Sequence, residues 1–415
     1  MRNARWSLFA VLSLGIAACG GSGNSASSPT DSIPDASALT LEVTGAPAEL
    51  AAAQILPAEL ASAVAPTWPV TPDNLALAQA KIAAVNKAIV SIFDHVADVA
   101  TQNGAPWPGA GKWYGPKDRC TVDVAVGAAC PSDEAATFRL WVGNAGAGRG
   151  GAFVLQAKAV GSDDTTYKTI LAGWMLRGAL PRRGVGQIWI NLDNLKLAAS
   201  GYPGEGVLYG GFAAAGLPLA KAETLVLVGF TPDPSTWPAA TVAYRGFKTA
   251  AGTARVRVAA LDNYVTTTAA DELGLFHVVA NPALGARAFG IVTDYSTDGG
   301  TTLIGDVPQG YYFFGRACYA AGALTAPAFA EWFLCPTSEG PVACAADTNN
   351  QSTILAGTSW DQDCAFSVEP AEFAPPDSVP GTNPTAQPSA LPGEDATGLT
   401  PQDPPATTDA VPAPG

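Results

Sequence analysis

The chain has 415 residues, of which 48 % are hydrophobic and 14 % are charged, so as a whole it does not belong to the disordered class. It carries 22 Lys and Arg against 36 Asp and Glu, which gives a formal net charge of −14. This charge argues against nucleic acid as a partner, because phosphate binding requires clustered cations. The length suits two to three domains, or one large β domain with tails.

Residues 1–18 have the pattern of an export signal. Arg2 and Arg5 precede an apolar stretch, Trp6 to Ala18, of thirteen residues. A membrane-spanning helix needs about twenty apolar residues, so this stretch is too short to be one. We therefore predict a signal peptide that is removed from the mature protein.

Residues 16–19 read Ile-Ala-Ala-Cys and resemble the lipobox of bacterial lipoproteins. The resemblance implies that Cys19 is covalently modified with lipid, with palmitate among its acyl chains. It also implies that Cys19 becomes the first residue of the mature chain. Gly20, instead of Asp, follows the cysteine, which by the same resemblance implies the outer membrane, on its periplasmic or cell-surface face. Two or more acyl chains would anchor the protein stably. An ordinary signal peptide with a chance cysteine is the alternative.

A flexible tether is expected over residues 19–44, which are rich in Ser, Gly and Asp. Residues 45–104 are expected to be a helical segment that packs on the sheet. Thr71-Pro72 is a helix-start signal, and the helix is predicted to end near Asn103-Gly104. Between them, apolar residues recur every three or four positions and predict one long amphipathic helix: Leu75, Ala78, Ile82, Val85, Ile89, Ile92, Val96 and Val99.

From Trp107 to about Cys335, apolar and polar side chains alternate with a period of two, which predicts β-strands. The β domain is expected to cover residues 105–368. The links between the strands are short and rich in Gly and Asp, as in Gly161 to Asp164. Such links allow hairpins but not helical crossovers, so the sheet should be antiparallel. The predicted fold is mainly β: a large antiparallel meander of about twelve strands, barrel-like or folded into two packed sheets, with one long N-terminal helix.

Seven cysteines leave six for pairing once Cys19 is assigned to the lipid: Cys120, Cys130, Cys318, Cys335, Cys344 and Cys364. An exported body favours disulfides. Cys120 and Cys130 would close a short loop, and that bridge would stabilise the fold by about 2–3 kcal/mol. The last four allow three pairings. We favour Cys335–Cys344 and Cys318–Cys364, which would attach the C-terminal segment to the last strands.

Residues 369–415 contain almost no large apolar side chains, many prolines, and acidic but no basic charges. Such a segment buries too little surface to offset the entropy of ordering it. We predict a disordered acidic tail that is either a solvated spacer or a ligand for a partner.

The sequence contains none of the common hydrolase, zinc-protease or phosphate-loop motifs. Its two histidines, His95 and His277, lie on distant predicted elements, which leaves little material for a catalytic triad. We expect His95 to be a helix-flank imidazole capped by solvent or by a backbone group, and His277 to be a hydrogen-bonded core histidine of a strand. No catalytic residue and no cofactor is predicted, and the protein is expected not to be an enzyme.

The segment from Asp294 to Thr302 has two interpretations. Asp294, Ser296 and Asp298 could supply oxygen ligands to calcium, but the bidentate Glu of a calcium loop is missing. Residues 296–302 also resemble the Asp-box, a hairpin turn of β-propellers. A structural turn is the favoured interpretation, and no metal site is predicted.

Three tryptophans precede prolines in predicted loops: Trp68, Trp107 and Trp237. Exposed indoles stack on sugars or apolar ligands, so these residues are possible ligand contacts. The alternative is that they seal the ends of the β core.

The expected function is that of an uncharacterised β-rich envelope lipoprotein with a non-catalytic structural or binding domain, whose ligand would be hydrophobic or a glycan. One alternative is a carrier with an apolar cavity, left open by inward glycines: Gly173, Gly210, Gly211 and Gly246. Another is a glycan-active hydrolase, which would need two carboxylates about 5–9.5 Å apart.

Overall fold

The computed structural model describes residues 31, 33–41, 74–101, 111–122, 128–144, 150–231, 240–262, 272–281, 283–294, 307, 310–321, 327–364, 399 and 401. Several sequence predictions lie outside these residues. They are the signal peptide, the lipobox with Cys19, and the loop tryptophans Trp68, Trp107 and Trp237.

The described strands form a single antiparallel sheet whose order is the order of the chain. The strands are β1 Lys112–Cys120, β2 Ala135–Asn144, β3 Gly151–Ala159, β4 Lys168–Arg177, β5 Gly184–Asn191, β6 Glu205–Ala215, β7 Ala220–Thr231, β8 Ala240–Lys248, β9 Ala254–Asp262, β10 Glu272–Asn281, β11 Gly285–Asp294, β12 Tyr311–Tyr319, β13 Phe329–Pro336 and β14 Gln351–Ala356.

The predicted antiparallel meander is therefore confirmed, with fourteen described strands instead of about twelve. Its closure was predicted wrongly. Among the described residues, β1 and β14 do not pair with each other, so the sheet is not closed into a barrel, and the strands do not divide into two sheets.

Among the described residues, four α-helices accompany the sheet: α1 Asn74–Thr101, α2 Leu192–Ala198, α3 Pro341–Ala346 and α4 Trp360–Asp363. Helix α1 contacts β1 and β2 near one end of the sheet and β10 to β12 near the other. Among its side chains described, Ile89, Ile92 and Val99 are fully buried. The sheet thus curves around α1 and encloses it on a concave inner side.

The inner side holds one continuous core. Phe138, Phe153, Phe212 and Phe276 project into it from four strands and are fully buried. His95 of α1 stacks on the Phe138 ring with a centroid distance of 4.5 Å. The imidazole lies on the sheet-facing side of α1 and is 8 % exposed, so the expected cap by solvent is wrong, while a cap by a backbone group stays a prediction.

Residues 33–41, which fall inside the expected tether, also belong to this core. Ile33 and Leu39 are fully buried. The Asn86 side chain binds both backbone groups of Leu41, accepting from its N–H at 2.6 Å and donating to its carbonyl at 2.8 Å. A tether can therefore extend only to about residue 32.

The C-terminal segment folds over the outer side of the last strands. Disulfides are confirmed, and they are Cys120–Cys130, Cys318–Cys364 and Cys335–Cys344. Outward side chains of β10 to β13, such as Phe314 and Phe333, form a second apolar layer beneath the Cys335–Cys344 bridge and Trp360. This end of the sheet is consequently buried on both sides.

Candidate ligand-binding face

The register of the first six strands aligns aromatic side chains on the outer side of the sheet. Trp113 lies opposite Trp141, and Trp189 lies opposite Tyr209. These residues point outward because their chain neighbours, such as Tyr114, belong to the inner core. Trp174 of β4 joins the same outer cluster. We call this surface the aromatic face, defined by Trp113, Trp141, Trp174, Trp189 and Tyr209.

Small side chains fill the space between the two aromatic pairs. Val154 and Ala172 lie in register between Trp141 and Trp189. Three strand spacings separate these two tryptophans, or about 14 Å. The small residues are fully buried, while Trp141 and Trp174 keep 7 % and 8 % of their surface exposed. The large rings therefore spread over the small residues and lie close to the sheet.

Glycine at position 143 allows Trp141 to lie flat. A Cβ atom there would overlap the Trp141 ring, and one at Gly111 would come within 2.9 Å of it. Gly111 also has a φ of +86°, a conformation that side-chain-bearing residues rarely adopt. The two glycines thus hold the indole against the sheet surface.

A row of polar side chains lies next to the aromatic row on the outer side of the same strands. Arg139 Nε donates to Gln156 Oε1 at 2.9 Å, and Gln156 Nε2 donates to Thr169 Oγ1 at 3.3 Å. The Arg139 guanidinium lies 4.3 Å from the Trp113 ring centroid and 3.8 Å from that of Tyr167. This double stacking holds the guanidinium in place beside the indoles.

Charged groups of both signs lie beside the aromatic face, namely Lys158 and Arg139 with Asp164 and Asp118. Lys158 Nζ lies 5.2 Å from the Tyr167 ring centroid and 2.8 Å from Asp164 Oδ1. The hydrogen bond with Asp164 raises the pKa of Lys158, so the lysine stays charged. Burial raises the pKa values of Tyr167 and Tyr209, so both phenols stay neutral donors at neutral pH.

This combination suits a ligand with flat apolar faces and hydroxyl groups at its edges. The partly exposed indole rings of Trp113 and Trp189 offer stacking surfaces, and Arg139, Gln156 and Thr169 offer donors and acceptors beside them. Binding sites typically pair such an apolar lining with a few placed polar groups.

The sequence analysis missed this face. Its possible ligand contacts Trp68, Trp107 and Trp237 lie outside the described residues. Trp141 and Trp189 lie in strands that the alternation did predict, on the side opposite the aliphatic core positions. That outward position was the available signal, but the alignment across strands depends on register, which the alternation does not give.

The other predicted site residues are dispersed. Asp294 is the last residue of β11, and its proposed calcium partners Ser296 and Asp298 lie outside the described residues. His277 is fully buried on the outer side of β10. Within the described ranges, no three His, Cys, Asp or Glu side chains converge as a metal site would need.

The carrier hypothesis predicted a void beside inward glycines. In the structure the side chains of Phe153, Leu225 and Tyr244 occupy the space where Cβ atoms would stand at Gly173, Gly210 and Gly246. Gly211 lies opposite Gln187 on the outer side of the sheet. The inner space beside these glycines is therefore filled by protein.

In the part of the chain that the structure describes, no helix has both the length and the apolarity to cross a membrane. Comparison with known proteins gave no match to a family model, a curated protein or a solved structure.

Proposed function

We propose that the chain is an outer-membrane-anchored lipoprotein whose β domain is non-catalytic and binds a glycan on its aromatic face. The observation that carries the proposal is the alignment of Trp113 with Trp141 and of Trp189 with Tyr209, beside the polar row of Arg139 and Gln156.

The chemistry of sugars fits these two rows. The C–H groups on one face of a pyranose ring pack on an indole, while the ring hydroxyls need hydrogen-bond partners at its edge. Four strand spacings, or about 19 Å, separate the partly exposed Trp113 from Trp189, which spans several sugar units. A short oligosaccharide lying across β1 to β5 would contact both of these tryptophans.

The proposed location rests on the lipobox and on the three disulfides. Disulfides form and persist in oxidising compartments outside the cytoplasm. Acylation of Cys19 would attach the mature chain to the membrane, and the segment up to residue 32 would separate the anchor from the folded body. The long helix α1 would brace the curved sheet from within.

Replacing Cys19 with alanine is expected to release the protein from membranes, because the thioether to the lipid can no longer form. Fractionation of cells expressing either form would measure this, with the wild type sedimenting with outer membranes. A Cys19→Ala variant that still sediments with membranes would contradict the lipid anchor and leave the binding proposal untouched.

Replacing Trp189 with alanine is expected to weaken oligosaccharide binding at least tenfold, because one of the two stacking surfaces is lost. Isothermal titration calorimetry with soluble β-1,4-linked glucose, N-acetylglucosamine and α-1,4-linked glucose oligomers would test this. Tyr311→Ala is the matched control, since Tyr311 is an exposed aromatic residue of β12 far from this face.

Two further measurements define the outcome. Thermal unfolding of both variants would show that the body remains folded, and Trp189→Phe should retain most of the affinity. The proposal is wrong if none of the oligomers binds the wild type, or if Trp189→Ala and Tyr311→Ala bind equally well.

A further inference from the structure

The two ends of the strands differ in charge. Because the described strands form a meander of consecutive antiparallel neighbours, their connections alternate between the two ends of the sheet. The connections that follow the even-numbered strands β2 to β12 share one end and contain no Asp or Glu. They are residues 145–150, 178–183, 216–219, 249–253, 282–284 and 320–328. We call these six connections the acid-free rim, whose only charged residues are Arg149, Arg182 and Arg183.

The connections at the other end each contain at least one acidic residue, and we call them the acidic rim. They are residues 121–134, 160–167, 192–204, 232–239, 263–271, 295–310 and 337–350. Strand ends extend the difference, because Glu205, Asp262 and Glu272 lie beside the acidic rim, while Arg177 and Lys248 lie beside the acid-free rim. Acidic residues are the commonest charged residues of this chain, so their absence from six connections at one end sets that end apart.

Large apolar side chains are exposed at the acid-free rim. Leu217 lies between β6 and β7 and is 80 % exposed, and Leu284 lies between β10 and β11 and is 50 % exposed. Leu176, near the end of β4, is also 50 % exposed. The acidic rim exposes Val160 and Leu197, but these two residues have acidic neighbours in the chain. Exposed leucines beside arginines and without carboxylates suit the interface of a phospholipid bilayer.

The N-terminal segment joins the folded body at the acid-free rim. The Arg182 N–H donates to the Asp31 carbonyl, and the Asp35 N–H donates to the Arg182 carbonyl, both at 3.2 Å. Ion pairs join Arg177 to Asp31 at 3.9 Å and Arg182 to Asp35 at 3.5 Å. Arg182 has a φ of +59°, and its two backbone hydrogen bonds hold it in this conformation, which is uncommon outside glycine. The connection between β4 and β5 is therefore the place where the chain coming from Cys19 reaches the body.

The other acidic residues near this end do not face it as free carboxylates. Asp31 and Asp35 are paired with arginines, as described above. Asp363 belongs to α4, which lies over the outer side of the last strands, and its carboxylate accepts from the N–H groups of Thr358 and Ser359.

The proposed lipid on Cys19 limits how far this rim can stand from the membrane. Asp31 follows Cys19 by twelve positions. A chain of that length spans at most about 42 Å when fully extended, and a flexible linker of that length has a root-mean-square span of about 19 Å. A folded domain of roughly 300 residues is about 50 Å across. The acid-free rim is therefore the end of the body nearest to the bilayer.

We propose that the acid-free rim lies on the phospholipid surface to which Cys19 is anchored, with the acidic rim facing away from the membrane. This inference rests on the lipid anchor of the proposed function. The exposed leucines enter the interface between headgroups and acyl chains, and the arginines of the rim lie at the level of the phosphates. The carboxylates of the acidic rim stay in water, where anionic lipid does not repel them.

Fluorescent labels on the two rims of the acylated protein test this orientation in vesicles of phosphatidylethanolamine and phosphatidylglycerol. Six cysteines form disulfides and Cys19 would be acylated, so an introduced cysteine is the single free thiol. Leu217→Cys places the label on the acid-free rim, and Thr165→Cys places it on an exposed residue of the acidic rim. Phospholipids with a spin-labelled headgroup should quench the Leu217 label at least threefold more strongly than the Thr165 label.

Acidic substitutions separate contact of the rim from tethering alone. With the label at Leu284→Cys, the double change Leu217→Glu and Ala251→Glu should reduce quenching at least twofold, because carboxylates do not enter an anionic interface. The matched control, Thr165→Glu and Thr348→Glu, adds the same charge to the acidic rim and should leave the quenching unchanged. All four substituted residues are exposed, so the fold should tolerate each change.

Equal quenching at the two rims, or equal effects of the two double variants, would overturn the orientation and leave the anchor intact. A Leu217 label that is shielded from water but not quenched by lipid would also overturn it, and would indicate contact with a second copy of the chain. A protein that does not float with the vesicles at all would refute the anchor, and the orientation would fail with it.

Discussion

Replacing both Cys318 and Cys364 with serine is expected to lower the free energy of unfolding by about 4 kcal/mol. The bridge joins residues 46 positions apart. A loop of that length restricts the unfolded chain strongly, which gives about 4 kcal/mol on the loop-entropy model. Guanidinium denaturation under non-reducing conditions measures the change.

The control is the pair Cys335→Ser and Cys344→Ser, whose bridge spans only nine positions. The same model gives about 2.5 kcal/mol for that loop. The structure adds a second reason for the difference. The Cys318–Cys364 bridge holds Trp360 against Phe289 and Phe329, at centroid distances of 5.8 and 6.0 Å. Equal losses for the two pairs would contradict the loop-length explanation.

Replacing Lys221 with alanine is expected to destabilise the protein by about 3–5 kcal/mol. Lys221 Nζ lies 3.1 Å from Glu223 Oε1, and the two side chains are 3 % and 2 % exposed. The ammonium also donates to the carbonyl of Ser37 at 3.1 Å and to that of Thr40. Its loss would leave a carboxylate inside the core without this cation and would loosen residues 33–41.

Two variants separate the buried pair from an ordinary ion pair. Lys196→Ala removes an exposed partner of Glu205 and should cost at most about 1 kcal/mol. The double change Lys221→Met and Glu223→Leu removes both buried charges and should recover most of the stability. Thermal and urea denaturation would measure both. A double variant as unstable as Lys221→Ala would show that the carbonyl contacts, and not the charge pair, matter most.

The alternation of apolar and polar residues predicted much of the fold, but it did not predict every strand. Strand β5 was predicted because Ile188 and Ile190, two positions apart, are apolar, and both side chains lie in the core. Strand β6 was missed because Gly210, Gly211 and Ala213 give little contrast between its two sides. Strand β1 contains Pro116 at a register shift, and sheets tolerate proline at such irregularities and on edge strands.

The candidate site depends on how neighbouring strands are aligned, which the sequence of a single strand does not show. Alternation places Trp141 and Trp189 on the outer side of their own strands. Whether they share a row depends on every turn and bulge between them, such as the shift between Leu155 and Gln156. For the disulfides, spacing left three pairings of the last four cysteines open, and the structure contains the favoured one.

The acidic tail shows the limit of composition as evidence. Its lack of large apolar residues predicts that it forms no core of its own. Composition does not show that one leucine of the tail packs on the folded body. Leu399 contacts Phe247 on the outer side of β8.

The order of the strands has a consequence for biogenesis. Each described strand after β1 pairs with the one made just before it, so hairpins can assemble in the order in which the chain is made. Helix α1 is different, because it must also meet β12, roughly 210 residues later in the chain. The side of α1 that meets β10 to β12 is therefore covered only after those strands have been made, whereas the side that meets β1 and β2 can be covered early.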